Sequence, residues 1–320
     1  MNEATDLLYS LVKIPSVSGN EKQIGEYLAN RLKKNFRVRK QKVGSRFNLL
    51  AVKGKPTIVF TAHMDTVPNC PKPKIADGWL YGRGACDTKA SIASMVVAAE
   101  KAAREGIKDF GLLFDVSEET DFSGIKKAVN LANPKFVIVG EPTNLKPVIG
   151  QKGLLGFKVI CKGKAAHGST PEKGKNAIEM LMTELTKLKS MKFSSGTTCN
   201  IGKISGGTQA NVVPDYAEAS VEIRTIPKDA DAYIRIKRKL KGTKLLCDFE
   251  PKMLQDNELL NLFKRGSIVP YFTEMYFWKK AVVIGPGNLA YAHTEKEKIK
   301  VCEVETAVEI YLQLLRKWGK

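Results

Sequence analysis

Thr57-Ile58-Val59-Phe60-Thr61-Ala62-His63-Met64-Asp65 opens as a short apolar run and closes on one of only three histidines in 320 residues. A run this short, apolar and bounded reads as a buried strand, and its C-terminal end delivers His63. Working outward, 110 to 116 and Phe136-Val137-Ile138-Val139 read as further buried strands, the second ending at Gly140-Glu141. Ala281-Val282-Val283-Ile284 reads as another. Between them, alanine-rich 89 to 104, then 123 to 132 and a segment near 257 to 265, read as helices. A final amphipathic helix carries Val304, Val308, Tyr311 and Leu315. This alternation predicts an α/β sheet with helices on both faces. Ligands of such sheets gather at the carboxyl ends of strands, where His63, Glu118-Glu119 and Glu141 all lie.

Ahead of that core, Leu7, Leu8, Leu11 and Val12 recur at helical spacing before Pro15. Ser18-Gly19-Asn20-Glu21 has the form of a capping box for a second helix bearing Ile24, Leu28 and Leu32. Stretches 36 to 43 and 47 to 53 are β-rich. From about 153 the pattern changes to strand (154 to 162), helix (176 to 189), two strands (198 to 205 and 215 to 225) and helix (229 to 240). The expected division is therefore a discontinuous domain, 1–152 with 253–320, interrupted by an inserted αβ domain over 153–252.

Hydrophobic residues make up 43% of the chain, enough for a proper core. Cysteines 70, 86, 161, 199, 247 and 302 contain no Cys-x-x-Cys pair, which argues against a disulfide framework or zinc knuckle. The acidic, polar start Met1-Asn2-Glu3-Ala4-Thr5-Asp6 and the lack of any apolar run near ~20 residues point to a cytoplasmic protein without a membrane span. A net charge of +19 would suit an anionic substrate, an acidic partner protein or nucleic acid. The lysines are spread singly or in short groups and no nucleic-acid motif accompanies them, so a solvated basic surface is the favoured reading over nucleic-acid binding.

The chemistry-bearing residues are His63, Asp65, Asp87, Glu118, Glu119, Glu141 and His293. In His63-x-Asp65 the imidazole can bind a metal while the carboxylate holds the ring. Asp87, in Gly82-Arg83-Gly84-Ala85-Cys86-Asp87-Thr88-Lys89, either caps the following helix or uses its two oxygens to bridge two metals that would lie ~3.5–4 Å apart. Glu118-Glu119 closes an apolar strand, where paired carboxylates are costly unless cations or water satisfy them; one can ligate while the other acts as a base. His293 lies in a loop after Gly285-Pro286-Gly287, and His167 in a loop rich in small polar residues.

These residues sit in longer strings: His-Met-Asp-Thr-Val-Pro at 63 to 68, Tyr-Gly-Arg-Gly-Ala-Cys-Asp-Thr-Lys at 81 to 89, Gly-Glu-Pro-Thr at 140 to 143, Gly-Lys-Ala-Ala-His-Gly-Ser at 163 to 169, Asn211-Val212-Val213-Pro214 and Ile223-Arg224-Thr225. With them the chain resembles the M20-family metallopeptidases over nearly its whole length, in the subgroup of acetylornithine deacetylase and succinyl-diaminopimelate desuccinylase. The resemblance implies a zinc-hydrolase-type catalytic domain, with a mixed sheet flanked by helices, and an inserted ferredoxin-like lid that forms a homodimer. It implies two zinc ions, with cobalt or manganese as substitutes: His63, Asp87 and Glu141 on one, and Asp87, Glu119 and His293 on the other. Glu118 would be the general base, Asp65 would orient His63, and His167 would steady the oxyanion from the second subunit. Arg224 and Asn211 would hold the substrate carboxylate or the intermediate, and the peptide after Asp87 would be cis. The implied substrate is an N-acyl amino acid; a dipeptide, or an amino acid on an acidic carrier protein, are the alternatives, as is a non-catalytic binding protein on this fold. Departures from the family pattern are Ala90 after the lysine, Glu222 two residues before Arg224, and Thr273-Glu274.

Overall fold

The computed structural model describes residues 2–69, 71–263 and 266–319; Cys70 and the last two residues of the helix expected near 257 to 265 lie outside them. The chain divides into two compact units, the first comprising Met1–Ile149, Leu254–Ser267 and Thr273–Lys320, and the second Gly150–Met253 and Ile268–Phe272.

In chain order the elements are α1 (Glu3–Val12), α2 (Lys22–Leu32), β1 (Arg37–Val43), β2 (Arg46–Lys53), β3 (Ile58–His63), β4 (Lys74–Ala76), β5 (Trp79–Tyr81), α3 (Lys89–Arg104), β6 (Phe110–Asp115), α4 (Ser123–Ala128), β7 (Phe136–Val139) and β8 (Val148–Gln151). The second unit follows with β9 (Gly153–Lys162), α5 (Ala177–Lys189), β10 (Thr198–Gly206), β11 (Tyr216–Thr225), α6 (Ala232–Lys239), β12 (Thr243–Phe249) and β13 (Lys252–Met253). The chain ends with α7 (Asn257–Leu262), β14 (Ser267–Val269), β15 (Ala281–Val283), β16 (Lys298–Lys300) and α8 (Val301–Trp318).

In the first unit the sheet runs β1-β2-β6-β3-β7-β15, with Val148 of β8 next. It is mixed: β6, β3, β7 and β15 are parallel, while β1, β2 and β8 pair antiparallel. Strands β3, β6 and β7 are buried along their whole length, as expected where helices cover both faces. Neighbouring residues of β2 report the two faces, because strand side chains alternate. Gly25 of α2 packs on Phe47, whereas Gly124 of α4 packs on Asn48. Helix α3 is buried from Lys89 through Glu100 because α1 and α8 lie against it as well as β3. Its alanines and serines let those backbones approach.

That close packing reaches the strand ends. A methyl group on Gly140 would lie 2.6 Å from both Ser91 and Met95 of α3, and one on Gly285 would lie 2.6 Å from the Ser91 hydroxyl and 2.5 Å from the Glu141 carbonyl. Glycine is thus required where β7 and β15 run into the loops that follow them.

The second unit is a β-α-β-β-α-β chain whose antiparallel sheet has the order β10-β11-β9-β12, the ferredoxin-like arrangement. Alternate residues of β9 and β11, among them Phe157, Val159, Val221 and Ile223, meet Leu181, Leu185 and Leu188 of α5 and Ile236 of α6 in one core.

Several local expectations change. The Ser18–Glu21 capping box does not form: the α2 N-terminus has no side-chain cap. Ser18 Oγ donates instead to Asp65 Oδ2 at 2.7 Å, and Glu21 accepts from the Ser117 backbone and pairs with Arg46. Helix α4 stops at Ala128 rather than 132, in a stretch where Asn130 and Asn133-Pro134 oppose helix. The short sheet β16-β5-β4 carried no periodic signal. The five described cysteines are all free, and among the described residues no helix is long and apolar enough to cross a membrane.

Replacing Gly285 with alanine is expected to lower folding stability by about 1–3 kcal/mol through overpacking against α3. Urea denaturation should show a reduced midpoint with unchanged slope; an unchanged midpoint would show that the contact can relax.

Candidate metal centre

The four parallel strands β6, β3, β7 and β15 point the same way, so the loops after them converge at one edge. His63 ends β3 and pairs in register with Asp115 at the end of β6. Glu118 and Glu119 lie three and four residues beyond Asp115; Glu141 follows β7, and His293 lies in the loop after β15. Asp87 immediately precedes α3, the Asp87-Thr88 peptide is cis as the resemblance implies, and Thr88 Oγ1 donates to the Gly140 carbonyl at 2.7 Å.

Two sets of donor atoms result, His63, Asp87, Glu141 and Asp87, Glu119, His293, each with its atoms within 4.8 Å of one another. The first set is buried, His63 being 1% exposed; in the second His293 is exposed and takes a left-handed backbone, φ 60°. Asp87 divides its oxygens between the histidines. Oδ1 lies 3.2 Å from His63 Nε2 and Oδ2 lies 3.1 Å from His293 Nε2. Glu141 Oε1 is 3.9 Å from His63 Nε2 and Glu119 Oε1 is 2.9 Å from His293 Nε2.

The hydrogen bonding at His63 shows what this donor set suits. Nδ1 lies 2.9 Å from the backbone carbonyl of Asp65, an acceptor, so Nδ1 carries a proton and Nε2 faces the carboxylates. In the neutral ring Nε2 is itself an acceptor, and a cation shared among Nε2, Asp87 and Glu141 satisfies all three. The residues present therefore fit a metal at each triad.

The Asp65 carboxylate, with Oδ1 3.6 Å from His63 Nδ1, has further partners. Oδ1 accepts the Glu118 N–H at 3.0 Å, and Oδ2 accepts the Glu119 N–H at 3.1 Å together with the Ser18 hydroxyl. The carboxylate clamps the Glu118-Glu119 backbone, just after Ser117 in its left-handed conformation, φ 65°, while the main chain of Asp65 orients His63. Burial, opposed by His63 and reinforced by the charges of Glu119, Glu274 and Asp65, lifts Glu118 well above the usual carboxylate range. Burial likewise lifts Glu141, again opposed by His63 and reinforced by Asp87. Burial alone would lower His63, but its bonds to Asp65 and Asp87 raise it well above the ordinary value. Hydrogen bonds to Asp87 and Glu119 push His293 up to about 10.

His167, Asn211 and Arg224 belong to the second unit. His167 is exposed, with Nδ1 2.7 Å from Ser169 Oγ, and its loop is tied to the Asn211 loop by the Gly168 N–H on the Asn211 carbonyl at 2.7 Å. Arg224 pairs with Glu222 at 2.8 Å. Three further acidic residues lie near the centre: Glu274, which the sequence marked only as a departure from the family pattern, and Asp115, the two buried with the Thr61 hydroxyl between them, and Glu297, which accepts the Asp87 N–H. Asp115, closing an otherwise apolar strand, carried a visible signal that was not used.

The peptidase dimerisation domain family matches residues 149–240. A probable carboxypeptidase of Aspergillus flavus is 34% identical, over 96% of this chain and 88% of its own. A peptidase M20 domain-containing protein of Schizosaccharomyces pombe is 31% identical, over 96% and 82%. This chain belongs to the M20 peptidase family. It is a hydrolase of amide bonds, and three solved structures share its fold. A Staphylococcus aureus tripeptidase has TM-score 0.81 at 22% identity over 98% of each chain. An M20 family metallo-carboxypeptidase from Sulfolobus solfataricus has TM-score 0.81 at 19% identity over 99% of each. A dinuclear metal binding peptidase of the M20 family from Bacillus subtilis has TM-score 0.72 at 16% identity over 98% of each.

One electrostatic consequence of this M20 centre is testable in metal-free protein. Glu118, Glu141, His63 and His293 all have raised folded-state values. Their stabilisation is fully present below the unfolded values of 4.5 for the glutamates and 6.5 for the histidines, and is lost as pH rises through the folded ones. The urea midpoint of chelator-treated protein is therefore expected to fall between pH 6 and pH 8.5, and added Zn2+ to offset the fall; a midpoint flat with pH would contradict the charge crowding described.

Proposed function

We propose that each triad holds one divalent cation, zinc in the first instance, with Asp87 common to both, and that this M20 enzyme is a dinuclear metallopeptidase. The observation that supports it most is the division of the Asp87 oxygens between His63 and His293, each ring facing a further carboxylate. When bound, the cations supply Lewis acidity at the scissile carbonyl and at the attacking water.

The chain's own residues supply the rest. Glu118 is close enough to feel the charges of His63 and Glu119 but belongs to neither triad, and its raised proton affinity suits a base that takes a proton from water and returns it to the leaving nitrogen. Asp65 fixes the Glu118 backbone, so the base is presented from a rigid turn. We assign His167 to the oxyanion, reached from the second copy of a homodimer, and Asn211 and Arg224 to the substrate carboxylate or the intermediate. Arg224 donates to Glu222 through Nε, and a guanidinium has further N–H donors to offer an anion.

The substrate reading follows from the relatives' names: an amide whose nitrogen belongs to an amino acid with a free carboxylate, as in a short peptide cleaved from its C-terminal end. The strings at 63 to 68 and 81 to 89 favour an N-acyl amino acid of the acetylornithine or succinyl-diaminopimelate type as the second reading, and both substrates present the same bond and the same carboxylate. A carrier-linked amino acid rests only on the +19 charge.

Zinc-loaded protein is to be incubated with a mixed panel of di- and tripeptides and N-acyl amino acids, with products read by mass spectrometry. Hydrolysis is expected, and Glu118→Gln should lower kcat by about 10²–10⁴-fold while retaining both metals. His293→Ala should retain one metal equivalent and lose the other. Full turnover by Glu118→Gln would remove its assigned role, and a panel left intact by protein holding two metals would remove the peptidase reading.

A further inference from the structure

Glu297 lies fully buried in the first unit. Its Oε1 accepts the backbone N–H groups of both Cys86 and Asp87, each at 2.9 Å. Its Oε2 pairs with Arg83 Nη1 at 2.6 Å, and Arg83 Nη2 donates onward to the Asn69 carbonyl at 3.0 Å. The Glu297 main-chain carbonyl accepts the Gly82 N–H at 3.1 Å. A buried carboxylate is costly unless it is paired and hydrogen-bonded. Each of the bonds that Glu297 itself makes here is to the segment Gly82–Asp87, so the two are held against each other at four points.

We propose that Glu297 is a positioning residue for Asp87, holding its main chain so that the two carboxylate oxygens meet His63 and His293 together. The inference rests on the reading of Asp87 as the ligand common to both cations. The physical case is geometric. The Asp87 carboxylate hangs from its backbone by two rotatable bonds and must satisfy partners at 3.2 and 3.1 Å on opposite sides. Displacing the N–H end of the residue carries one oxygen or the other out of reach. Glu297 also follows His293 by four residues in one loop, so a single side chain fixes the distance between the backbone carrying one ligand and the backbone carrying another. A residue that touches no cation can in this way set the affinity for two. Outer partners of this kind are worth about 10–100-fold in metal affinity or activity.

Metal-free full-length protein, wild type, Glu297→Gln and Glu297→Asp, is to be titrated with Co2+ by calorimetry and visible absorption, alongside thermal melts and separate determination of kcat and KM. In Glu297→Gln the amide oxygen can still accept from the backbone, but the amide nitrogen faces Arg83 with a donor against a donor. The expected result is that both Co2+ equivalents weaken together by about 10–100-fold, the absorption bands change, and kcat falls by more than KM rises. Glu297→Asp keeps the charge opposite Arg83 and should recover part of the loss. A purely structural role would lower the melting temperature and leave both Co2+ affinities and spectra as in wild type, and that outcome overturns the proposal. If Glu297→Gln does not fold, Glu297→Asp decides by the same criterion. Failure of the wild type itself to take up two Co2+ would defeat the dinuclear reading instead, and the two failures are told apart by the wild-type titration alone.

Discussion

Carboxylates gathered out of water must be offset by positive charge or by N–H donors, and the first unit is organised around that requirement. Asp65 is satisfied by two backbone N–H groups and a serine hydroxyl, and Glu297 by two backbone N–H groups and an arginine. Asp87, Glu119 and Glu141 face imidazoles instead, and two rings shared among three carboxylates leave an excess of acceptors. The groups already neutralised by protein are those that position the others. Of the groups left over, Asp87, Glu119 and Glu141 fall in the two candidate metal-binding sets, whereas Glu118, Asp115 and Glu274 do not. This division separates the scaffold of the site from its working part more sharply than burial does, since Asp65 and Glu297 are as buried as His63.

The geometry depends on four parallel strands ending together. His63 ends one of these strands, and the Glu118-Glu119 turn, Glu141 and the His293 loop each follow another, so sheet register fixes their mutual heights. Asp87 comes from the start of α3, and the depth at which α3 packs is set by Gly140 and Gly285, which precede Glu141 and the His293 loop. The residues that let the helix in and the residues that face its first turn are thus adjacent in the chain, and packing error in one is transmitted to the other.

Much of this was legible in the sequence, for physical reasons that differ by element. The buried strands β3, β6, β7 and β15 and the helices α3 and α5 announce themselves by apolar runs and periodicity, because burial on both faces or one stripe dictates composition. The metal-type residues stood out because histidine is scarce and acidic pairs at strand ends are expensive. What stayed hidden were partnerships set by tertiary approach. Ser18 and Glu21 have the sequence of a capping box, yet Asp65 and Arg46 compete more strongly for them than the helix end does. Glu297 sits in the polar string Glu295-Lys296-Glu297-Lys298 and reads as surface, and only its location beneath the Cys86-Asp87 backbone shows otherwise. The bonds that the Asp65 carboxylate accepts from the Glu118 and Glu119 N–H groups, beside its contact with the neighbouring imidazole, likewise have no local cause.

The interior position of β15 has a bearing on how the chain comes to be folded. This strand lies between β7 and β8 in the sheet, yet the ribosome makes it only after the second unit has been synthesised. Until then β7 has an open edge, the loop bearing His293 does not exist, and Arg83 has no Glu297 to meet. Such long-range closure is slow to find and leaves a strand edge open to wrong partners. The core of the second unit, from β9 to α6, is drawn from one continuous stretch of chain, whereas the sheet that carries the catalytic residues is completed only by a segment synthesised after that stretch.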